Sequence, residues 1–258
     1  MPTPVVKTQA PVARAADPPL PNPSDSAAKI PLTRFQMKQG FAVAFGDVLL
    51  GKPTHDMPNG ATGVFRLETP RLWSNAVIRY AIDSHIQHPE RIEQALQHMA
   101  DNSPLKFELA TDNNADAIVF QQSEELCGSY MGALGGLQPI LLADHCTWTD
   151  VVHEVMHAIG FPHEHSRADR DQFVRVLFNN IQEDFLPQFD IAPTPVLDVL
   201  TTTGFDYQSV MIYPKTAFAK TPNLETLQSL NPAFDIAPSQ QGLSNLDKER
   251  LFRLFSNR

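Results

Sequence analysis

From Val77 to Ile82 the chain reads Val-Ile-Arg-Tyr-Ala-Ile, an alternation with the period of a half-buried strand. Over residues 89–102 the period changes. Ile92, Ala95, Leu96 and Met99 stand at i, i+3, i+4 and i+7, which predicts an amphipathic helix with Pro89 at its start. The apolar runs at 117–120 and 138–142 are predicted as short strands. Pro139 has no N–H for a ladder, which assigns the second of them to a sheet edge. Another helix is predicted from about Thr149-Asp150, where a hydroxyl or carboxylate can cap it. A last helix follows near 245–255, carrying Leu246, Arg250, Leu251, Leu254 and Phe255. Strands thin out between these two helices. This order predicts an α+β fold of two lobes, with the helix after Thr149 at their junction. No internal repeat is present.

The N-terminal portion follows other rules. Residues 1–31 hold eight of the 22 prolines with few apolar anchors between them, so packing cannot offset the entropy of ordering and a flexible arm is expected. Residues 35–50 are richer: Phe35, Met37, Phe41, Val43, Phe45 and Val48 can pack onto something, with Gly46-Asp47 as an interruption. Residues 51–63, with two prolines and three glycines, predict a loop open to proteolytic nicking. The chain therefore divides into an N-terminal arm at 1–63 and a folded domain at 64–258.

At 258 residues there is ample chain for a core that needs no staples. The formal net charge of −9, without any Lys/Arg run, argues against binding to nucleic acid or anionic membranes. No apolar run is long enough to span a bilayer. The first twenty residues lack the apolar centre of a secretory signal. Cys127 and Cys146 are the two cysteines; by themselves they read as free thiols, and a bridge is favoured only by what surrounds them.

The chemistry concentrates at 153–163, His-Glu-Val-Met-His-Ala-Ile-Gly-Phe-Pro-His. On a helix, His153 and His157 share one face and can reach one metal ion. Gly160 can end the helix, and the returning chain supplies His163. Three neutral imidazoles around Zn²⁺ leave a fourth position for water, the arrangement of a catalytic site, with one Zn²⁺ per chain. Water so held is acidified, and Glu154 is placed to accept its proton as it attacks a peptide carbonyl. The whole pattern, H-E-x-x-H-x-x-G-x-x-H, is that of metzincin metallopeptidases.

Within that group the chain resembles the astacin family. Gly160-Phe161-Pro162-His163-Glu164-His165-Ser166-Arg167-Ala168-Asp169-Arg170-Asp171 matches the family's G-F-x-H-E-x-x-R-x-D-R-D in full. Ser209-Val210-Met211-Ile212-Tyr213 is similar to its S-x-M-H-Y, with Ile212 in place of His, and Leu243-Ser244-Asn245-Leu246-Asp247 to its L-S-x-x-D. Shorter likenesses lie at Arg71-Leu72-Trp73 and around Gly128 to Gln138, so that the resemblance covers about residues 64–256.

The resemblance implies a two-lobed astacin-like domain with a twisted mixed sheet, preceded by a prosegment within 1–63. It implies that Met211 is an apolar floor under the metal, and that Tyr213 ligates the metal at rest and then stabilises the oxyanion; a buried core tyrosine is the alternative. Cys127 and Cys146 stand where the family has its shorter disulfide, and the cysteines of its second bridge are absent. Glu164 is implied as partner of the mature amino terminus, or else as a carboxylate supporting a ligand. The run Ala44-Phe45-Gly46-Asp47 resembles the prosegment motif F-x-G-D with its aromatic displaced by one residue. Asp47 is then expected to block the metal, unless it belongs to an ordinary Gly-Asp turn. Activation would need another protease, cutting between about residues 60 and 66.

The function expected is that of a secreted or extracellular zinc endopeptidase, made latent, taking peptide or protein substrates in extended conformation along the strand at 138–142. A secreted binding protein that keeps the fold without activity is the competing reading.

Overall fold

Residues 32–51, apolar but without a period clear enough to assign, form three strands: β1 (Leu32–Lys38), β2 (Phe41–Ala44) and β3 (Val48–Gly51). They make an antiparallel meander, and β4 (Thr62–Arg66) returns along the outer side of β1. Strand β4 crosses the predicted boundary at residue 63, so part of the expected loop is ladder. The inward faces of this meander bury Phe35, Met37, Ala44, Phe45, Val48 and Phe65 in a small core of their own. The computed structural model describes residues 32–52, 57–66, 70–111 and 116–256. The proline-rich residues 1–31, expected to be a flexible arm, lie outside the described residues.

The chain continues through β5 (Val77–Ile82), α1 (Glu90–Asp101), β6 (Lys106–Leu109), β7 (Ala117–Gln122), β8 (Gly128–Tyr130) and β9 (Leu137–Leu142). These strands and the meander form one nine-stranded mixed sheet in the order β4-β1-β2-β3-β8-β9-β7-β5-β6. The two parts join where β3 runs parallel to β8, pairing Val48 with Ser129 and Leu49 with Tyr130.

The edge assignment made from Pro139 is corrected here. Strand β9 is interior, parallel to β7 on one side and antiparallel to β8 on the other. The carbonyls of Gly136 and Leu142 accept from β7-side amides at Ala117 and Ser123, so even-numbered residues direct their main chain toward β7. Pro139 therefore faces the β8 side, just past the last pair, Ser129 with Ile140. Its missing N–H interrupts no bond there. Within the 64–258 domain the edge beside β9 is β8, and β3 covers it.

Helix α1 buries Ile92, Ala95, Leu96 and Met99 as their spacing predicts, each contributing on the order of 1–3 kcal/mol of burial free energy. It packs against α2 (Trp148–Ala158), whose Thr147 cap forms a reciprocal box with Asp150: the Asp150 amide donates to the Thr147 hydroxyl, and the Thr147 amide donates to the Asp150 carboxylate. Past Gly160 the chain makes short 3₁₀ turns, the two-stranded pair β10 (Val174–Val176) and β11 (Leu227–Ser229), and α3 (Leu197–Thr203). An aromatic-rich cluster including Phe189, Phe205, Tyr207 and Ile212 stabilises this half. Helix α4 (Asn245–Phe255) closes the described chain, and α2 lies between the sheet-rich half and the looser one.

Candidate active site

Helix α2 has to stop for the site to form. Its last carbonyls are taken by neighbours: the Trp73 indole N–H donates to Ala158 and the Gly132 amide to His157, both at 2.8 Å. Gly160 then adopts φ +112°, where a Cβ would meet Leu72 Cδ2 at 2.9 Å and Pro195 Cγ at 3.0 Å. The turn brings His163 back over the helix face that carries His153 and His157.

The three imidazoles converge through Nε2. His153 Nε2 lies 3.1 Å from His163 Nε2, and the Asp47 carboxylate stands 3.4, 3.3 and 3.2 Å from Nε2 of His153, His157 and His163. With metal–nitrogen distances of about 2.0–2.1 Å, tetrahedral ligand atoms stand about 3.3 Å apart, so this donor set fits Zn²⁺. His157 Nε2 and Asp47 Oδ1 are buried and have no hydrogen-bond partner, as atoms reserved for an ion would be. Two of the three far ring nitrogens are tied to main chain, His153 Nδ1 to the Val210 carbonyl at 2.8 Å and His157 Nδ1 to that of Phe161 at 2.7 Å, which leaves their Nε2 as the ligand atom, while His163 Nδ1 is buried without a partner. Burial lowers His157, and it lowers His163 to about 4, so both rings are neutral, as ligation requires. His165 stays outside the set; it stacks on His163, and its Nε2 donates to the Gln188 carbonyl at 3.3 Å.

Asp47 arrives on the turn between β2 and β3. Its carbonyl accepts from the Ser129 amide at 3.1 Å, and Lys38 donates to the Gly46 carbonyl at 3.2 Å. Burial disfavours its charge, yet the three imidazoles outweigh that and hold it well below the usual carboxylate range. Tyr213 meets the same turn, its hydroxyl donating to the Phe45 carbonyl at 2.5 Å. A Cβ on Gly46 would overlap Tyr213 Oη, so only glycine permits this approach. Phe45, the displaced aromatic, sits at φ +51°, a conformation that costs a bulky residue on the order of 1–3 kcal/mol and is compensated here by its burial among Phe35, Met37 and Val48.

Glu154 is buried beside the imidazoles with Oε2 unpaired. Burial first, then the charges of Asp47 and Asp150, push its carboxyl well above the usual range. Met211 lies in the main core with Val155 and Met156, and its carbonyl accepts from the Glu164 amide at 2.9 Å. Glu164 is fully buried. Its Oε1 accepts from Arg167 Nη1 and the Asp206 amide, both at 2.7 Å, and Arg250 donates to both of its oxygens at 2.8 and 2.9 Å. Cys127 and Cys146 form a disulfide with Cα atoms 6.1 Å apart, pinning the approach to β8 against the start of α2.

Sequence reasoning did not single out Lys38, the Phe45 carbonyl or the pairing of Arg250 with Glu164. The last left a trace. An arginine on the apolar face of the 245–255 helix, one turn after the Ser244–Asp247 capping pair, points to a buried carboxylate facing it.

Comparisons with known proteins agree with this architecture. The family model for astacin, a peptidase family, matches residues 66–256. The chain is 31% identical over 214 residues to zinc metalloproteinase nas-14 of Caenorhabditis elegans, covering 81% of this chain and 41% of that protein. It is 33% identical over 189 residues to low choriolytic enzyme of Oryzias latipes, covering 70% and 67%. The nematode relatives are thus much longer: the chain spans less than half of nas-14. Among solved structures, high choriolytic enzyme 1, a hatching enzyme zinc-protease from the medaka Oryzias latipes, superposes with a TM-score of 0.64 at 27% identity, covering 74% of this chain and 95% of that one. With the family model spanning most of the chain and the HExxHxxGxxH histidines gathered at one point, this chain belongs to the astacin family.

Proposed function

We propose that this chain is a zinc endopeptidase, and that the segment before residue 64 keeps it latent. One observation carries the reading: the Asp47 carboxylate stands 3.2–3.4 Å from Nε2 of all three imidazoles, and those of His153 and His163 lie 3.1 Å apart, spacings that suit the ligands of a tetrahedral ion. When bound there, zinc supplies a Lewis acid that polarises a peptide carbonyl and acidifies water.

The remaining work falls to the chain. Glu154 takes the proton of the attacking water and passes it to the leaving amine. In the full-length chain burial first, and then the charge of Asp47, push its carboxyl well above the usual range; departure of Asp47 removes a like charge and admits water, which favours the ionised base. Tyr213, freed from the Phe45 carbonyl, turns its hydroxyl to the oxyanion that forms at the scissile carbon. The strand at 138–142, expected to take the substrate, is paired on both sides, so that role passes to β8: removal of β3 uncovers it, and its main-chain groups can then pair with a peptide in extended conformation. Main-chain pairing accepts many sequences, which suits an endopeptidase. Activation requires a second protease that cuts after the meander. The Cys127–Cys146 disulfide supports an oxidising, extracellular setting.

The test is proteolysis of an unstructured protein such as casein by the full-length and the trimmed chain, with and without a zinc chelator. Chelator-sensitive hydrolysis by the trimmed chain alone is the expected result. A trimmed, folded, zinc-loaded chain that cleaves nothing is instead a binding protein.

A further inference from the structure

Sheet order places the meander between two strands that follow it in the chain. In the run β4-β1-β2-β3-β8, strands β1, β2 and β3 precede the exposed residues Pro58, Asn59 and Gly60, whereas the flanking β4 and β8 come after them. A cut between Asn59 and Gly60 therefore breaks none of the strand pairings. Strand β4 pairs with β1 at five positions, from Leu32 with Arg66 to Gln36 with Thr62. The contact continues toward the turn, where the Met37 amide donates to the Ala61 carbonyl at 2.7 Å and the Gly60 amide to that of Met37 at 2.8 Å. Side chains fasten the same strand. Phe65 is buried with Phe35, Met37 and Phe45, and the Phe35 ring lies so close over Gly63 that a Cβ there would meet its Cζ at 2.7 Å. On the far flank β3 pairs with β8, Met131 and Ala192 close the same small core, and the Ser123 hydroxyl donates to Gln39 Oε1 at 2.6 Å.

We propose, on the reading of this chain as a latent zinc endopeptidase, that β4 and β8 form a docking surface for the chain's own excised N-terminal piece. A chain cut at residues 58–60 keeps that piece bound as a non-covalent inhibitor, and activity appears only when a cut falls within or beyond β4. Cutting turns an intramolecular contact into a bimolecular one, so what is lost is an effective concentration on the order of 1 mM for a short connection. The contacts that hold Asp47 against the imidazoles stay as they were. A cut beyond Phe65 acts differently. Strand β4 then leaves with the meander, and strand pairing to the domain shrinks to Val48 with Ser129 and Leu49 with Tyr130.

The experiment inserts a site for a sequence-specific protease between Asn59 and Gly60 of the full-length chain, with and without Phe65→Ala, and follows the cut by mass. The expected result for the cut wild type is co-elution of both pieces on gel filtration, with peptide hydrolysis at least ~10-fold below that of the trimmed chain beginning at residue 64. In the cut Phe65→Ala form the piece is expected to leave at least ~10-fold faster on dilution, with activity rising in step, since weakened contacts show mainly in the rate of dissociation. A cut wild type that sheds the piece and reaches the trimmed chain's rate would overturn the proposal. So would full activity with the piece still bound, or release unchanged by Phe65→Ala, because β4 would then hold nothing that matters. The cut wild type gives its answer whether or not the variant folds. A zinc-loaded trimmed chain without activity refutes the endopeptidase reading instead, and co-elution still reports on the docking.

Discussion

Asp47 and His163 are 116 residues apart in sequence, and the carboxylate of one lies 3.2 Å from Nε2 of the other. The contact is held from both sides. Pairing of β3 with β8 fixes the main chain at Val48 and Leu49, while the helix-ending turn at Gly160 fixes His163. A second link, the two-bonded ion pair of Arg34 with Asp190, joins β1 to the C-terminal half. Its partners are 49% and 32% exposed, and such pairs are worth about 0–1 kcal/mol. The buried carboxylate and the strand pairing therefore dominate the contact between the meander and the rest of the chain.

Asp47→Ala is accordingly expected to give a full-length chain that hydrolyses peptides without being cut, whereas Arg34→Ala remains nearly as silent as the parent. Assay of uncut protein, checked by mass before and after, decides the matter. If Asp47→Ala is silent and the trimmed enzyme active, the meander blocks by bulk alone.

Removal of the proposed base is expected to separate metal binding from chemistry. Glu154→Ala, after trimming, is expected to retain one zinc per chain and lose hydrolysis by at least 10²-fold, the scale of general-base catalysis. Metal analysis and peptide turnover on the same sample check both halves. Full activity in this variant would remove Glu154 from the mechanism.

The legible and illegible parts of this chain differ for physical reasons. Helix α1, strand β5 and helix α4 have periods that the structure repeats almost residue for residue, because each packs one face on the main core. The meander was harder to read. Phe41–Ala44 and Val48–Gly51 are buried on both faces, so no alternation marks them as strands. Pro139 misled for a related reason: a local rule about a missing donor holds only when the strand needs a bond on that side, and the direction of the main chain is set by the neighbouring strands. The three histidines were legible because their spacing is helical and local. The Glu154 environment was not, since its carboxyl is raised first by burial and then by Asp47, which arrives from the other end of the fold.

The disulfide should matter to stability more than to chemistry. Closing the loop between Cys127 and Cys146, 19 positions apart, is worth about 3 kcal/mol through the unfolded chain. Replacing both cysteines by serine is expected to lower the denaturation midpoint accordingly, with metal content unchanged. An unaltered midpoint would mean that the bridge is absent from the folded protein.

Glu154 also predicts how stability varies with pH in the metal-free full-length chain. Its folded-state carboxyl is pushed well above the usual value by burial and by Asp47 and Asp150, while in the unfolded chain it titrates at about 4.3. Below that pH both states are protonated and the group is neutral to folding. As pH rises past it, the unfolded chain releases the proton and the folded chain retains it, so stability falls. Glu154→Gln, an uncharged isostere, removes this loss. The variant is expected to match the parent in Tm near pH 4 and to exceed it increasingly toward pH 7. Thermal melts across that range in the presence of chelator provide the measurement. A constant difference at all pH values, or a variant less stable than the parent at pH 7, would mean that the carboxyl is ionised in the full-length chain and that neither burial nor Asp47 holds its proton.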